Sequence, residues 1–501
     1  MKPYHILFAA SEVTPLAKTG GLADVVGALP LALADRGHRV QVIMPFYRPF
    51  IERFVAKTGI SPEPTGRTVH LWIDGHERWC PLHRLTLAGV EVILVEQDDL
   101  YGRDQLYGSP DGDYVDNLLR FVLFDRVVLE LAATTETPFD IIHCHDWQTG
   151  LIPLLLNHQY RHLPALAGTR TVFTIHNLAY QGVFSADGVY RMGLPTSDYH
   201  TDGYEFYHQI NCLKAGVVAS DAVTTVSPTY AKEILTTEYG CHLEGFLANI
   251  SDKLSGIVNG LDVDDWNPAT DPHISSKFAS GKVAGKARCK RQLQKLCRLT
   301  EDNDAPLLVT ISRLADQKGI DLLVAAAPTW LEAGAQMVVL GSGDTGLEAA
   351  LLALAAAYPQ QCAFHQGFNE PLARKIYAGA DFFMMPSRFE PCGLGQLMAM
   401  RYGTIPVVRA TGGLRDTVID MATNPAYGTG FHFANATVEA LIEAGQQAID
   451  FRTQHPDRFA LMVGRALGRD SSWIPSAIAY ETLYRDLLQP PSLPPASAAA
   501  V

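Results

Sequence analysis

No stretch of this chain approaches the roughly 18 consecutive apolar residues that a membrane-spanning helix needs, so a membrane partner is not expected. Cysteine is sparse. Cys80, Cys144, Cys212, Cys241, Cys289, Cys297, Cys362 and Cys392 are the 8 thiols in 501 residues, and none forms a C-x-x-C pair. Dispersed thiols in a long chain point to a reducing cytoplasm rather than a disulfide framework. Positive charge is also short: 40 Lys and Arg stand against 53 Asp and Glu, a formal net charge of −13. A nucleic-acid partner is therefore not expected, because neutralising a phosphate backbone takes a basic surface. A small phosphorylated ligand needs only a local positive pocket and stays open. The first apolar run stops at Ser11-Glu12; it is too short for a signal sequence and reads as a buried strand.

What is present is an α/β pattern. The chain is 47% hydrophobic and 19% charged, a globular composition, and its length implies more than one core. Short apolar runs alternate with amphipathic segments, as in parallel sheets covered by helices. Strands are predicted over 4–10, 39–45, 90–96, 140–145, 171–176 and 222–227 in the first half. In the second half they are predicted over 307–312, 336–340, 363–367, 381–386 and 405–409. Helices are predicted between them, among them 117–133, 209–220, 319–333, 345–358, 371–378 and 394–401. Periodicity lapses over 251–272, where Gly, Asn, Asp and Pro cluster, and this segment reads as a hinge. The predicted layout is an N-terminal domain over 1–253, a C-terminal domain over 254–473 and a last helix over 474–489. A Pro/Ala tail over 490–501 has a disordered composition.

Several strand ends carry chemistry. Lys18-Thr19-Gly20-Gly21-Leu22-Ala23-Asp24 follows the first strand; its glycines allow close backbone approach to a phosphate or sugar, and Lys18 adds a point charge. The plain alternative is a strand-to-helix loop with a surface lysine. Thr411-Gly412-Gly413-Leu414 echoes this run in the second half, which suggests helix N-termini lining a cleft from both sides. Arg313 and Lys318 lie just past a predicted strand, where ligands of parallel sheets bind, and two cations there suit a diphosphate. Glu390 and the following Cys392-Gly393-Leu394-Gly395 form a turn able to aim a carboxylate and free N–H groups at one point. Asp146 and His176 end two strands and read as polar groups at a rim. His143-Cys144-His145 lacks a second ligand pair, so a zinc site is not expected. Gly341-Ser342-Gly343-Asp344-Thr345-Gly346 matches a dinucleotide fingerprint but lacks the acidic residue at ribose distance. Asp111-Gly112-Asp113 reads as a turn rather than a metal motif.

Taken in order, Lys18–Val25, His145-Asp146-Trp147, Ile175–Gly182, Asn259-Gly260-Leu261-Asp262, Ser312-Arg313-Leu314, Gln317-Lys318-Gly319 and Pro386–Leu394 resemble the bacterial and plant glycogen/starch synthase family. The resemblance implies the GT-B fold: two Rossmann-like α/β domains with parallel sheets facing a deep cleft. It implies retaining transfer of glucose from ADP-glucose to the 4-OH of glycogen or another α-1,4-glucan, with no metal or other cofactor. Glu390, His176, Asp146 and Lys18 would form the catalytic set. Lys18, Gly20, Gly21, Asn259, Arg313, Lys318, Phe368, Cys392, Gly393, Leu394 and Gly395 would bind the nucleotide sugar, and Tyr107 the acceptor or sugar. Phe368 stands where the family usually has Tyr, and Gly395 where it usually has Thr. A glycosyltransferase with another acceptor, a non-catalytic glucan-binding protein and an NAD-linked oxidoreductase are the competing readings.

Overall fold

Uncharged aliphatic runs must be covered on both faces, and in the computed structural model they form the centres of two separate sheets. The structure describes residues 3–109 and 112–489; Asp111 of the Asp-Gly-Asp turn and the expected 490–501 tail lie outside the described residues. The chain divides into two compact units. One comprises 1–226, 234–257 and the segment from Trp473 onward; the other comprises Ser227–Glu233 and Val258–Ser472. The short helix at 228–233 thus belongs to the second unit, where an uninterrupted 1–253 domain would put it in the first.

The first unit is built on nine strands: β1 (His5–Ala9), β2 (Arg39–Pro45), β3 (Glu63–Ile73), β4 (His76–Leu87), β5 (Val90–Val95), β6 (Ile141–His145), β7 (Arg170–Ile175), β8 (Ala222–Thr225) and β9 (Leu254–Gly256). Their order is β9-β8-β7-β6-β1-β2-β5-β4-β3. All neighbours pair in parallel except β4, which is antiparallel to both β5 and β3. Because β1, β6 and β7 are adjacent and parallel, the residues after each emerge together at one edge of the sheet. This juxtaposition brings Glu12, Asp146 and His176 into one neighbourhood. Sequence periodicity missed the β3–β4 hairpin, since its residues alternate polar and apolar instead of forming a run. Its turn signal was present in Asp74-Gly75, whose φ angles of 50° and 73° suit a two-residue hairpin loop.

The second unit carries a six-stranded, wholly parallel sheet: β10 (Leu307–Ile311), β11 (Gln336–Gly341), β12 (Cys362–Gln366), β13 (Phe382–Met385), β14 (Ile405–Arg409) and β15 (Phe431–Phe433), ordered β12-β11-β10-β13-β14-β15. Trp330, Phe382 and Phe383 are fully buried in its core. Here too the central strands β10 and β13 adjoin, so the Arg313–Lys318 loop and the Glu390 turn leave the same edge side by side. The helix predicted over 209–220 starts later, at Cys212, because Gln209–Asn211 pairs as a strand with Val183–Ser185.

The last described helix, Ile474–Leu488, packs on the first unit. Glu481 accepts hydrogen bonds from Arg36 Nη2 at 2.5 Å and pairs with His38 Nε2 at 2.8 Å, and the Tyr484 hydroxyl meets His143 Nδ1 at 2.7 Å. Burial pushes the Glu481 carboxyl up, but the bonds to Arg36 and His38 outweigh it and hold the group below its ordinary value. A carboxylate depressed in this way stabilises the fold fully above about pH 4.3, and that stabilisation is lost as pH falls through the folded-state value. Glu481→Gln should therefore lower stability at pH 7 by about 1–3 kcal/mol, and the gap to the unmodified chain should narrow as pH falls below about 4.3. Denaturant titrations at pH 7 and pH 3.5 check this; a gap that does not change with pH would remove the ion-pair explanation.

Candidate active site

In the first unit the site starts from Glu12, a buried acid just past β1. Its carboxylate accepts from the main-chain N–H and, at 2.6 Å, the hydroxyl of Thr19, from Gly20 N at 3.3 Å and from the Tyr107 hydroxyl at 2.6 Å. The Tyr107 hydroxyl also meets Ser11 Oγ at 2.7 Å. One carboxylate thus shapes the glycine loop from below, while Lys18 reaches Asp24 at 2.6 Å on the solvent side. Gly20 and Gly21 have negative or extended φ, and a Cβ built on either meets no atom within 4 Å. Neither backbone conformation nor packing within the chain requires glycine there. The open space beside the loop is what a closely approaching ligand would use.

Asp146 leaves β6 with φ 54°, ψ −176°, a sparsely populated conformation for a residue with a side chain. Its Oδ1 accepts from His176 N at 2.7 Å, which ties the ends of β6 and β7. Burial raises the Asp146 carboxyl to about 7 despite hydrogen bonds from the main chain of His176 and Asn177. His176 is pushed down to about 3 by burial alone, and His143 and His145 also fall well below the ordinary range for the same reason. These are neutral imidazoles. His143 spends both nitrogens, on Tyr484 and on Thr174 Oγ1 at 2.6 Å, and His145 Nδ1 meets His176 Nε2 at 3.0 Å. His143 is therefore a strut between the sheet and the last helix.

In the second unit Lys318 Nζ donates to Glu390 Oε2 at 2.5 Å, and Ser387 Oγ donates to the same oxygen at 3.2 Å. Glu390 is buried, and its other oxygen has no partner among the described residues. Arg388 ties this turn to the neighbouring loop: it donates to Asp316 O and, with both terminal nitrogens, to Asp321, while Gln317 O accepts from Arg388 N. Arg313 is exposed, with no carboxylate paired to it among the described residues. Gly319, at φ 63°, cannot carry a Cβ because Pro386 O would lie 2.0 Å away; glycine here lets the two loops touch. Asn259 lies buried against Cys392, and its Oδ1 has no partner among the described residues. Burial raises the Cys392 thiol to about 12, so Cys392 offers main chain rather than a thiolate. Gly393, at φ 74°, turns the chain into the helix Gly395–Arg401, whose first N–H groups have no intrahelical acceptor. A Cβ at Gly395 would sit 2.9 Å from the Phe383 ring, so this position is filled by the core. Phe368 projects at the end of β12, 83% exposed.

One expectation changes. The Thr411-Gly412-Gly413-Leu414 echo is not a second open anion loop. A Cβ on Gly412 or Gly413 would strike main-chain oxygens of Glu390 or Cys392 at 2.0–2.1 Å, and Glu233 already accepts from Gly412 N at 3.0 Å and the Thr411 hydroxyl at 3.0 Å. Its glycines serve close packing, and its N–H groups are spent within the chain, Gly412 N on the Glu233 carboxylate and Gly413 N on the main-chain oxygens of Glu390 and Pro391. Likewise Gly341 and Gly343 let this loop pass Ser312 O and Leu314 O, and Asp344 caps the following helix through Leu347 N. Sequence reasoning missed Glu12, Glu233 and Gln396, the last of which braces the Glu390 turn by donating to Cys392 O and Gly393 O. A buried acid directly after a buried strand was the only local signal for Glu12.

Comparison with known proteins agrees with this arrangement. Residues 5–249 match the starch synthase catalytic domain, and 296–460 match the glycosyl transferases group 1 model. The chain is 46% identical over 481 residues to glycogen synthase 2 of Geobacter sulfurreducens, covering 96% of this chain and 98% of that protein. It is 47% identical over 490 residues to the glycogen synthase of Anaeromyxobacter dehalogenans, covering 96% and 99%. The catalytic domain of starch synthase IV from Arabidopsis thaliana, solved bound to ADP and acarbose, superposes with a TM-score of 0.88 at 34% identity, covering 97% of this chain and 100% of that one. Sucrose-phosphate synthase of Thermosynechococcus elongatus, at 18% identity and a TM-score of 0.59, shares the fold alone. With two parallel α/β units, these strand-end residues and relatives of this identity over nearly its full length, the chain belongs to the glycogen/starch synthase family of GT-B glycosyltransferases.

Proposed function

We propose that this enzyme transfers glucose from ADP-glucose to the non-reducing 4-OH of an α-1,4-glucan in the cytoplasm, retaining anomeric configuration and using no metal. The observation that carries the reading is the buried Glu390 carboxylate, held through one oxygen by Lys318 and Ser387, with the unpaired Arg313 on the adjoining loop. That grouping suits a neutral sugar attached to a diphosphate. Glu390 would accept from glucose hydroxyls through its open oxygen, and Lys318, Arg313 and Lys18 would meet the phosphates. As the bond from C1 to the diphosphate oxygen breaks, negative charge grows on the leaving phosphate, where fixed cations act most strongly. The acceptor O4 bonds to C1 from the same face, and its proton passes to the departing diphosphate. The ADP bound to the Arabidopsis relative supports the choice of nucleotide. Asp146, His176 and Asn259 would hold the glucosyl group or acceptor, and Phe368 would lie beside the base.

The test is transfer of labelled glucose to glycogen, with ADP-glucose and UDP-glucose in competition. No transfer from either donor would sink the reading, and preference for UDP-glucose would sink the nucleotide assignment. Chelation with EDTA should leave the rate essentially unchanged, because side-chain cations would supply the charge a metal otherwise brings; loss of activity restored by a divalent ion would overturn that part. Gly20→Ala should leave the melting temperature unchanged, since its methyl meets no protein atom, yet lower kcat/KM for the donor by about tenfold or more. Equal activity in this variant would mean that the open space is not used by substrate.

A further inference from the structure

The outermost two strands of the first sheet, β3 and β4, present a solvent face that the chain leaves bare. Alternation and the register His70↔Trp79, Trp72↔Glu77 put His70, Trp72, Glu77 and Trp79 on that face, while Leu71, Ile73 and Cys80 point into the core. Trp72 is 71% exposed and Trp79 58%, a heavy cost for indoles left largely to water. The face is ordered. The His70 ring stacks on Trp79 with centroids 4.3 Å apart, and His70 Nε2 lies 2.7 Å from Glu77 Oε1. The hairpin tip is clamped, Arg191 holding both oxygens of Asp74 at 2.9 and 2.7 Å. The residue before that arginine, Tyr190, is 81% exposed.

We infer that this hairpin face is a surface site for the α-glucan acceptor, separate from the residues assigned to catalysis; the inference rests on the proposed glucan-elongating function. Three features favour a neutral sugar polymer as occupant. Diagonal cross-strand neighbours stand about 7–8 Å apart, so two indole faces and a flanking imidazole form a flat strip on which successive pyranose rings can stack. The ionisable groups of the strip, His70 and Glu77, face each other at 2.7 Å, and both can hydrogen-bond to sugar hydroxyls. An anionic membrane or nucleic acid finds no complementary charge there, and the chain as a whole is at −13. A second copy pairing along the edge is disfavoured by the register shift between Pro64 and Thr68 and by Gly66 at φ 75°, irregularities of the kind that blunt sheet edges. A tether of this kind keeps a branched polymer near the enzyme between transfers.

The test uses the full-length chain without donor. Migration of the wild type, Trp72→Ala, Trp79→Ala and the double variant is compared in native gels with and without glycogen, followed by kinetics with glycogen and with maltotriose. Expected are retardation of the wild type by glycogen and loss of most of that retardation in the double variant. KM for glycogen should rise roughly tenfold per indole removed, with kinetics on maltotriose unchanged and tyrosine substitutions restoring binding. A wild type not retarded by glycogen, or a double variant retarded equally, overturns the site. A change of molecular mass in the double variant shows instead that the face joins two copies, and overturns it too. A wild type that binds glycogen through the tryptophans but transfers no glucose would sink the proposed activity and leave this site standing.

Discussion

Lys318→Ala is expected to lower turnover by a hundredfold to a thousandfold at saturating ADP-glucose, the cost typical of removing one preorganised donor at a developing negative charge. Lys318 does two things that can be separated. In the proposed reaction it would offer a cation to the leaving phosphate, and it holds Glu390 through a 2.5 Å hydrogen bond. Removing it leaves a buried carboxylate with only the Ser387 hydroxyl, so stability should fall as well, by about 3–5 kcal/mol. Lys318→Ala combined with Glu390→Gln removes the stranded charge and should recover much of the stability while activity stays low. Comparing kcat with denaturant midpoints in the single and double variants distinguishes the roles. A double variant that regains both stability and turnover would show that the lysine matters only as a counter-charge for Glu390.

Asp146→Asn should give a protein that is more stable above pH 7 and nearly inactive. The sign follows from the raised carboxyl. Burial moves Asp146 from 3.8 to about 7 in the folded chain, so between those values the native state holds a proton that the unfolded state has released. Stability then falls as pH rises through that interval, by at most about 4 kcal/mol for a shift of this size at 1.36 kcal/mol per unit. Asparagine carries no charge to desolvate, can still accept from His176 N and tolerates φ 54° as well as aspartate does. The stability of the variant should therefore lose the decline between about pH 4 and pH 7. Activity should drop by a hundredfold or more, since an ionised carboxylate is the form that accepts sugar hydroxyls, and the rise of kcat/KM with pH near 7 should vanish with it. A variant that melts at the same temperature as the wild type at pH 8 would contradict the burial argument; one with normal turnover would remove Asp146 from the site.

The parts legible in the sequence were those with local causes. A run such as Ile141-Ile142 or Val338-Val339 must be buried wherever it lies, so the parallel strands and their positions in the chain followed from hydrophobicity alone. Strand ends in parallel sheets gather at one edge, which is why Lys18, Asp146, His176, Arg313, Lys318 and Glu390 could be singled out before any contact was known. The β3–β4 hairpin was less legible because one of its faces meets solvent, and alternating residues such as Leu71-Trp72-Ile73 do not stand out as a run.

What the tertiary structure alone decided were the partners. Nothing local distinguishes Gly20-Gly21 from Gly412-Gly413. Only packing shows that the first pair borders open space and the second is pressed against the Glu390 turn, with Gly412 N spent on Glu233 and Gly413 N on Glu390 O and Pro391 O. Glu12 draws its role from Tyr107, 95 residues away, and Glu481 from Arg36, 445 residues away. The elevated Asp146 carboxyl comes from burial beneath neighbouring strands rather than from any residue beside it in sequence. Hydrophobic periodicity is a property of a segment, whereas the environment of a charge is set by whatever the whole chain brings within a few ångströms of it.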